Sequence, residues 1–128
     1  MAKIVRFEDL AIWKQATAIA VEIYMLSEEG KLKNDFGAKD QIRRSASSIS
    51  NNIAEGFEYN NNREFIRFLK FAKGSAGELR SQLYILMLAE LIPQKTYEEI
   101  YKELYSISSQ LGGFIKYLRA NTKKSDGQ

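Results

Sequence analysis

The chain has 128 residues, 45% hydrophobic and 27% charged, with a formal net charge of +3. That is the size and balance of one globular domain, 1–128, with one core, and it excludes a chain disordered throughout. Cysteine and histidine are both absent, which excludes disulfides, thiolate metal sites, thiol nucleophiles and every triad or metal site built on imidazole.

No strand-like alternation is sustained; apolar residues recur at spacings of three and four instead. Segment one, about 9–28, carries Ile12, Ala16, Ile19, Ile23 and Leu26 on one line. Leu10, Trp13, Ala20 and Tyr24 form a second line beside it, interrupted by Thr17. Asp9 is placed to cap its start and Gly30 to follow its end, and Lys31 to Asp35 reads as a polar loop. Segment two, about 37–55, has a narrow stripe of Ala38, Ile42, Ala46, Ile49 and Ile53, with Gly56 as its stop. Asn61 with Glu64 resembles a capping box at the start of segment three, about 63–91. There Phe65, Leu69, Ala72, Ala76, Leu79, Leu83 and Leu86 form an unbroken seam, and Pro93 then forces a break between segments three and four. Thr96 with Glu99 forms a second capping box for segment four, about 96–120, whose seam is Tyr97, Ile100, Leu104, Ile107, Leu111, Phe114 and Leu118. A polar tail, 121–128, follows. Four amphipathic segments with short links predict an all-α, up-and-down antiparallel four-helix bundle.

The longest apolar run, Leu83 to Ala89, is far short of a membrane span. No apolar signal-peptide core follows Lys3 and Arg6. The expectation is a cytoplasmic protein with no membrane contact. Chemistry is equally sparse. A di-iron carboxylate bundle needs Glu-x-x-His pairs, and Glu55, Glu64, Glu78 and Glu90 are too scattered for an all-carboxylate cation site. Neither a Ser-x-x-Lys hydrolase motif nor a glycine-rich phosphate loop occurs. No catalytic residue, metal or cofactor is expected.

Three constellations remain. Gln41, Ser45, Ser48, Asn52 and Glu55 share one face of segment two, either as a ligand pocket or as a helix–helix contact in which small polar groups bond across the interface. The second reading makes Arg44 and Glu78 candidates for an interhelical ion pair. Arg63, Arg67 and Lys70 lie opposite the leucine seam of segment three, with Lys73 and Arg80 to one side. They form a basic track for a phosphate backbone or an ordinary solvated face. Only Glu64 and Glu78 offset these five cations between positions 63 and 80. Tyr101, Tyr105, Ser108, Gly112 and Ile115 form a second line on segment four, roughly 90° from its seam, and so widen its apolar sector beyond the usual ~100°. Either the helix is unusually buried or the line is a subunit interface, where tyrosine is enriched; the expectation is a homo-oligomer joined there.

The blocks Phe7-Glu8-Asp9-Leu10-Ala11-Ile12-Trp13, Gln41-Ile42-Arg43-Arg44-Ser45-Ala46, Asn52-Ile53-Ala54-Glu55-Gly56, Gly74-Ser75 and Glu78-Leu79 follow one another in an order that resembles the four helix bundle protein family, also called the 23S rRNA intervening-sequence proteins. The likeness runs from Arg6 to Leu118. It implies an all-helical protomer, a ring-shaped homopentamer and no known enzymatic activity. The family motifs fall here on Arg43, Arg44, Ser48, Asn52, Glu55, Gly56, Ser75 and Glu78, which are expected to be structural. The combined expectation is a non-enzymatic, ring-forming bundle associated with RNA or DNA; the alternative is an adaptor whose partner is another protein.

Overall fold

The computed structural model describes residues 3–125. Its helices are α1 (Ala11–Leu26), α2 (Phe36–Glu58), α3 (Asn62–Leu88) and α4 (Gln94–Ser125), with 3₁₀ helices at Phe7–Asp9 and Gly30–Asn34. No strand occurs among the described residues. The apolar lines of α1 and α3 are buried as the spacing predicts: Ile12, Ala16, Ile19, Ile23 and Leu26 on one, Phe65 through Leu86 on the other. No helix among the described residues is long and apolar enough to cross a membrane.

The helices run antiparallel in sequence order. Along α2 from Gln41 to Gly56, the facing positions on α3 fall from Gln82 to Phe68. Along α3 from Phe65 to Tyr84, the ring and cation partners on α4 fall from Phe114 to Tyr97. The contacts α1–α2, α2–α3, α3–α4 and α1–α4 close the bundle and leave α1 diagonal to α3. The α1–α4 seam is the thinnest of these.

The helix ends differ from the sequence reading in physically instructive ways. Asp9 does not cap α1; it lies in the first 3₁₀ helix beside Arg6, and Leu10 occupies the cap position with no side-chain bond. The expected loop after α1 is a 3₁₀ helix because Leu32 is completely buried and pins it to the core. Asp35 then caps α2 by accepting from the Ala38 N–H at 3.1 Å. Gly56 does not stop α2, which continues to Glu58. Gly56 is instead a point of close approach to α3: a Cβ there would sit 2.7 Å from Cβ of Phe68. Asn61 does cap α3, accepting from the Glu64 N–H at 2.9 Å.

α3 ends in a Schellman motif. The Leu91 N–H bonds Leu86 O and the Glu90 N–H bonds Met87 O, both at 2.9 Å, with Glu90 at φ 63°. α4 starts at Gln94, directly after Pro93, so the Thr96–Glu99 capping box does not form. It also continues as helix through 121–125, where a frayed tail was expected; 126–128 lie outside the described residues. Its buried line is Ile100, Leu104, Ile107, Leu111, Ile115 and Leu118, so the seam passes through Ile115 and leaves Phe114 half-buried.

Candidate nucleic-acid interface

The first half of α3 turns its outer face to solvent because its apolar seam is taken by the core. Arg63, Arg67 and Lys70 are exposed there, two turns of one helix face. The antiparallel return of α4 brings Arg119 alongside them. Arg63, Arg67, Lys70 and Arg119, with Ile66 and Thr122, line a groove of about 480 Å³ between the two helices. Glu64 also lines it, but its carboxylate is engaged by Arg67 at 3.4 Å. Arg63, Lys70 and Arg119 form no ion pair among the described residues. The groove thus holds an excess of positive charge.

The other two members of the expected track leave it. Lys73 reaches across to α4, its Cε only 3.6 Å from where a Cβ on Gly112 would sit. Arg80 is half-buried with its guanidinium 5.7 Å from the Tyr101 ring, about 25 Å along α3 from Arg63. The sequence reading missed Arg119, whose link to Arg63 exists only once α3 and α4 are paired antiparallel.

In the polar stripe of α2, Ser48 and Asn52 make a helix–helix contact, while Gln41, Ser45 and Ser48 also line a hollow of about 250 Å³ with Arg44, Glu78 and Gln82. Ser48 Oγ and Ser75 Oγ lie 2.8 Å apart across α2 and α3, and the Asn52 amide donates to Ser48 Oγ at 2.9 Å and to Ser48 O at 2.7 Å. The expected Arg44–Glu78 ion pair does not form. Arg44 is on the outer edge of α2, where it pairs with Asp40 one turn earlier at 2.9 Å, and both Arg44 and Glu78 are exposed. Glu55 is exposed as well and takes no part in the interhelical network. Arg43 does the joining on the other side: its Nε donates to Ser27 Oγ at 2.8 Å and its Nη2 to Glu28 at 2.6 Å, with Tyr24 stacked 4.6 Å below. Lys39 donates to the same Glu28 carboxylate. The hydrogen bond from Lys39, ahead of the contribution of Arg43, holds that carboxyl below its ordinary range.

The second line of α4 turns toward α3. Ile115 is buried in the protomer's own core, so it is not a subunit-interface residue; Ser108 and Gly112 are half-buried. Tyr101 and Tyr105 remain exposed, in a file of rings from Tyr84 through Tyr97 to Tyr105 with centroids 5.7, 5.8 and 6.3 Å apart. Burial and the neighbouring phenols Tyr101 and Tyr84 raise the ionisation of Tyr97 above its usual value. On the α1–α4 seam, Glu103 is half-buried beside Glu22; burial first, then the Glu22 carboxyl and the charge of Glu99, push it up to about 7.

Two apolar patches stay uncovered: Val21 and Met25 on α1, and Ile85 and Leu88 on α3, each more than half exposed. A hollow of about 620 Å³ lined by Leu88, Leu91, Ile92 and Gly30 lies at the end of the bundle opposite the basic groove. Lys31 and Glu90 are the charged residues in its lining.

The chain is similar in structure to a protein of unknown function from the S23 ribosomal protein family of Bacteroides thetaiotaomicron VPI-5482. The TM-score is 0.77 at 29% identity, covering 85% of this chain and 98% of that one. No curated protein matches it. The family model for the 23S rRNA-intervening sequence protein matches residues 8–113, a span that contains all of α1, α2 and α3 and the Ser48–Ser75 contact. The chain therefore belongs to the 23S rRNA-intervening sequence protein family.

Proposed function

We propose that the protein is a non-enzymatic, cytoplasmic, homo-oligomeric bundle that binds nucleic acid through its phosphate backbone. The observation that carries this reading is the groove between α3 and α4, where Arg63, Lys70 and Arg119 converge and form no ion pair among the described residues, the Glu64 carboxylate beside them being engaged by Arg67. Cations grouped in this way gain affinity by releasing counterions from a polyanion, and they carry no base specificity. Several copies on one strand raise the effective affinity further.

The oligomer is supported by the two uncovered apolar patches. They lie on α1 and α3, diagonal helices, so they face opposite sides of the protomer. Distinct patches on opposite sides suit a head-to-tail contact, which gives a ring where the rotation between copies closes and an open filament where it does not. The number five rests on the family resemblance alone.

The test is retention of labelled RNA and duplex DNA by the purified protein over a salt series. Binding at low salt that falls steeply as salt rises, and that Arg63→Glu with Arg119→Glu abolishes without loss of helicity, supports the reading. Absence of retention at any salt favours the alternative, an adaptor whose apolar patches dock another protein.

A further inference from the structure

We infer that the ligand of this groove is single-stranded nucleic acid, with its bases stacked on aromatic rings beside the groove. The inference rests on the phosphate-binding reading above and adds the class of strand.

Arg67 forms the border between two different surfaces. On one side lies the cationic groove of Arg63, Lys70 and Arg119. On the other its guanidinium stands 4.9 Å from the Phe68 ring and 5.3 Å from the Phe71 ring. Phe68 is buried and serves as the floor. Tyr59 stacks on it at 5.3 Å with planes 17° apart, and Phe71 stands edge-on at 5.5 Å and 88°. Tyr59 and Phe71 are each about half exposed, 49% and 48%. Two rings are therefore braced against a buried third while each stays about half exposed to water.

Core packing does not require this exposure. Phe71 follows Lys70 on the outer side of α3, away from the Leu69–Ala72–Ala76 seam, and an exposed ring there loses the gain of burial. A cationic track with accessible rings at its edge is the arrangement that holds single strands: phosphates lie along the charges and unpaired bases stack on the rings. In a duplex the bases are already stacked on one another and only their edges are accessible, so the rings would add nothing to duplex binding. The groove supplies attraction for any polyanion; the Tyr59–Phe68–Phe71 platform supplies the preference for unpaired strands.

The experiment measures fluorescence anisotropy of a labelled 20-nucleotide oligoadenylate RNA, its DNA counterpart and an RNA duplex of equal length, at low salt. The 128-residue chain is compared with Phe71→Ala, Phe71→Trp and the Arg63→Glu, Arg119→Glu pair, each checked for helicity. The expected result is binding of both single strands at least about tenfold tighter than of the duplex. Phe71→Ala should reduce single-strand affinity about five- to a hundredfold, the range for one lost stacked base, and leave duplex binding unchanged. Binding of the oligoadenylate should also quench the indole emission gained by Phe71→Trp. Duplex binding as tight as single-strand binding, or an unchanged affinity of Phe71→Ala, overturns the stacking inference while charge reversal still abolishing binding preserves the phosphate reading. Failure of every strand to bind overturns both.

Discussion

Ser48 on α2 and Ser75 on α3 meet hydroxyl to hydroxyl at 2.8 Å, and they do so where the two helices can approach because both side chains are small. Asn52 completes the contact from the next turn of α2. Ser75→Ala removes one hydrogen bond of Ser48 Oγ, which keeps the one donated by Asn52. Ser75→Ala should therefore destabilise the protein by the worth of a single net hydrogen bond, about 0.5–1.5 kcal/mol, and Ser48→Ala with Ser75→Ala by less than the sum of the two single changes. Urea unfolding of the four forms measures the coupling. Strictly additive midpoints would mean that the hydroxyls do not interact.

Two glycines on facing helices should respond to alanine with opposite signs. At Gly56 an added methyl would meet Cβ of Phe68 at 2.7 Å and the Phe65 ring at 3.1 Å. The first of these is fixed to backbone, so α2 and α3 must separate; Gly56→Ala should cost about 1–3 kcal/mol net of its helix propensity. At Gly74 no atom lies within 4 Å of the added methyl. Gly74→Ala should stabilise the helix by about 0.5–1 kcal/mol. Thermal unfolding of both variants is the check, and destabilisation by Gly74→Ala would reveal a second molecule seated on that face of α3.

Glu103 gives the stability a pH dependence of unusual sign. Its folded carboxyl holds a proton to about pH 7, whereas its ordinary value is 4.5. Between these values the folded chain binds more protons than the unfolded one, so this group's contribution falls as pH rises through that window and is level above it. Glu28, lowered by Lys39 and Arg43, acts in the opposite sense: its contribution is present above its ordinary value of 4.5 and is lost on acidification. Glu103→Gln imitates the protonated form. It should be more stable than the parent by about 1 kcal/mol at pH 8, after discounting for solvent screening at a partly exposed site, and nearly equal to it at pH 4. Parallel stability curves for the two proteins across that range would show that Glu22 and Glu103 do not share a proton.

The helical seams were legible in the sequence where one apolar residue per turn was on offer, as along α3 from Phe65 to Leu86. On α4 the sequence offers Phe114 and Ile115 side by side. A strict seven-residue repeat selects Phe114, but a helix of 3.6 residues per turn drifts about 20° per heptad, and after two heptads the core line has moved to Ile115. Leu32, alone among polar neighbours, creates no period to read, although it is fully buried. The Arg44–Glu78 pairing failed for a different reason. Periodicity places a residue on a face but does not show whether a nearer partner, here Asp40, will take it; Glu78→Gln is accordingly expected to be neutral. Three of the four cations of the groove were visible as Arg63, Arg67 and Lys70 on one helix. Arg119 was hidden by chain distance, and the Tyr59–Phe68–Phe71 platform by the turn that folds α2 back onto α3.

The uncovered patches on α1 and α3 make the assembly testable without disturbing the fold. Met25 and Leu88 are 65% and 63% exposed, so a carboxylate at either position stays solvated in an isolated protomer and should leave helicity and protomer stability within about 0.5 kcal/mol of the parent. In a head-to-tail contact each copy buries its α1 patch against the α3 patch of the next, and a carboxylate desolvated there without a partner is costly. Light scattering after size exclusion should give about five times the 14.7 kDa protomer mass for the parent and one protomer mass for Met25→Asp or Leu88→Asp. A heterologous ring makes a sharper demand: since every contact uses one α1 patch and one α3 patch, mixing the two single variants should yield dimers, joined through the one intact patch on each, and no larger species. Recovery of full rings from that mixture would mean that the patches do not meet each other, and a parent that runs as a concentration-independent monomer would remove the ring altogether.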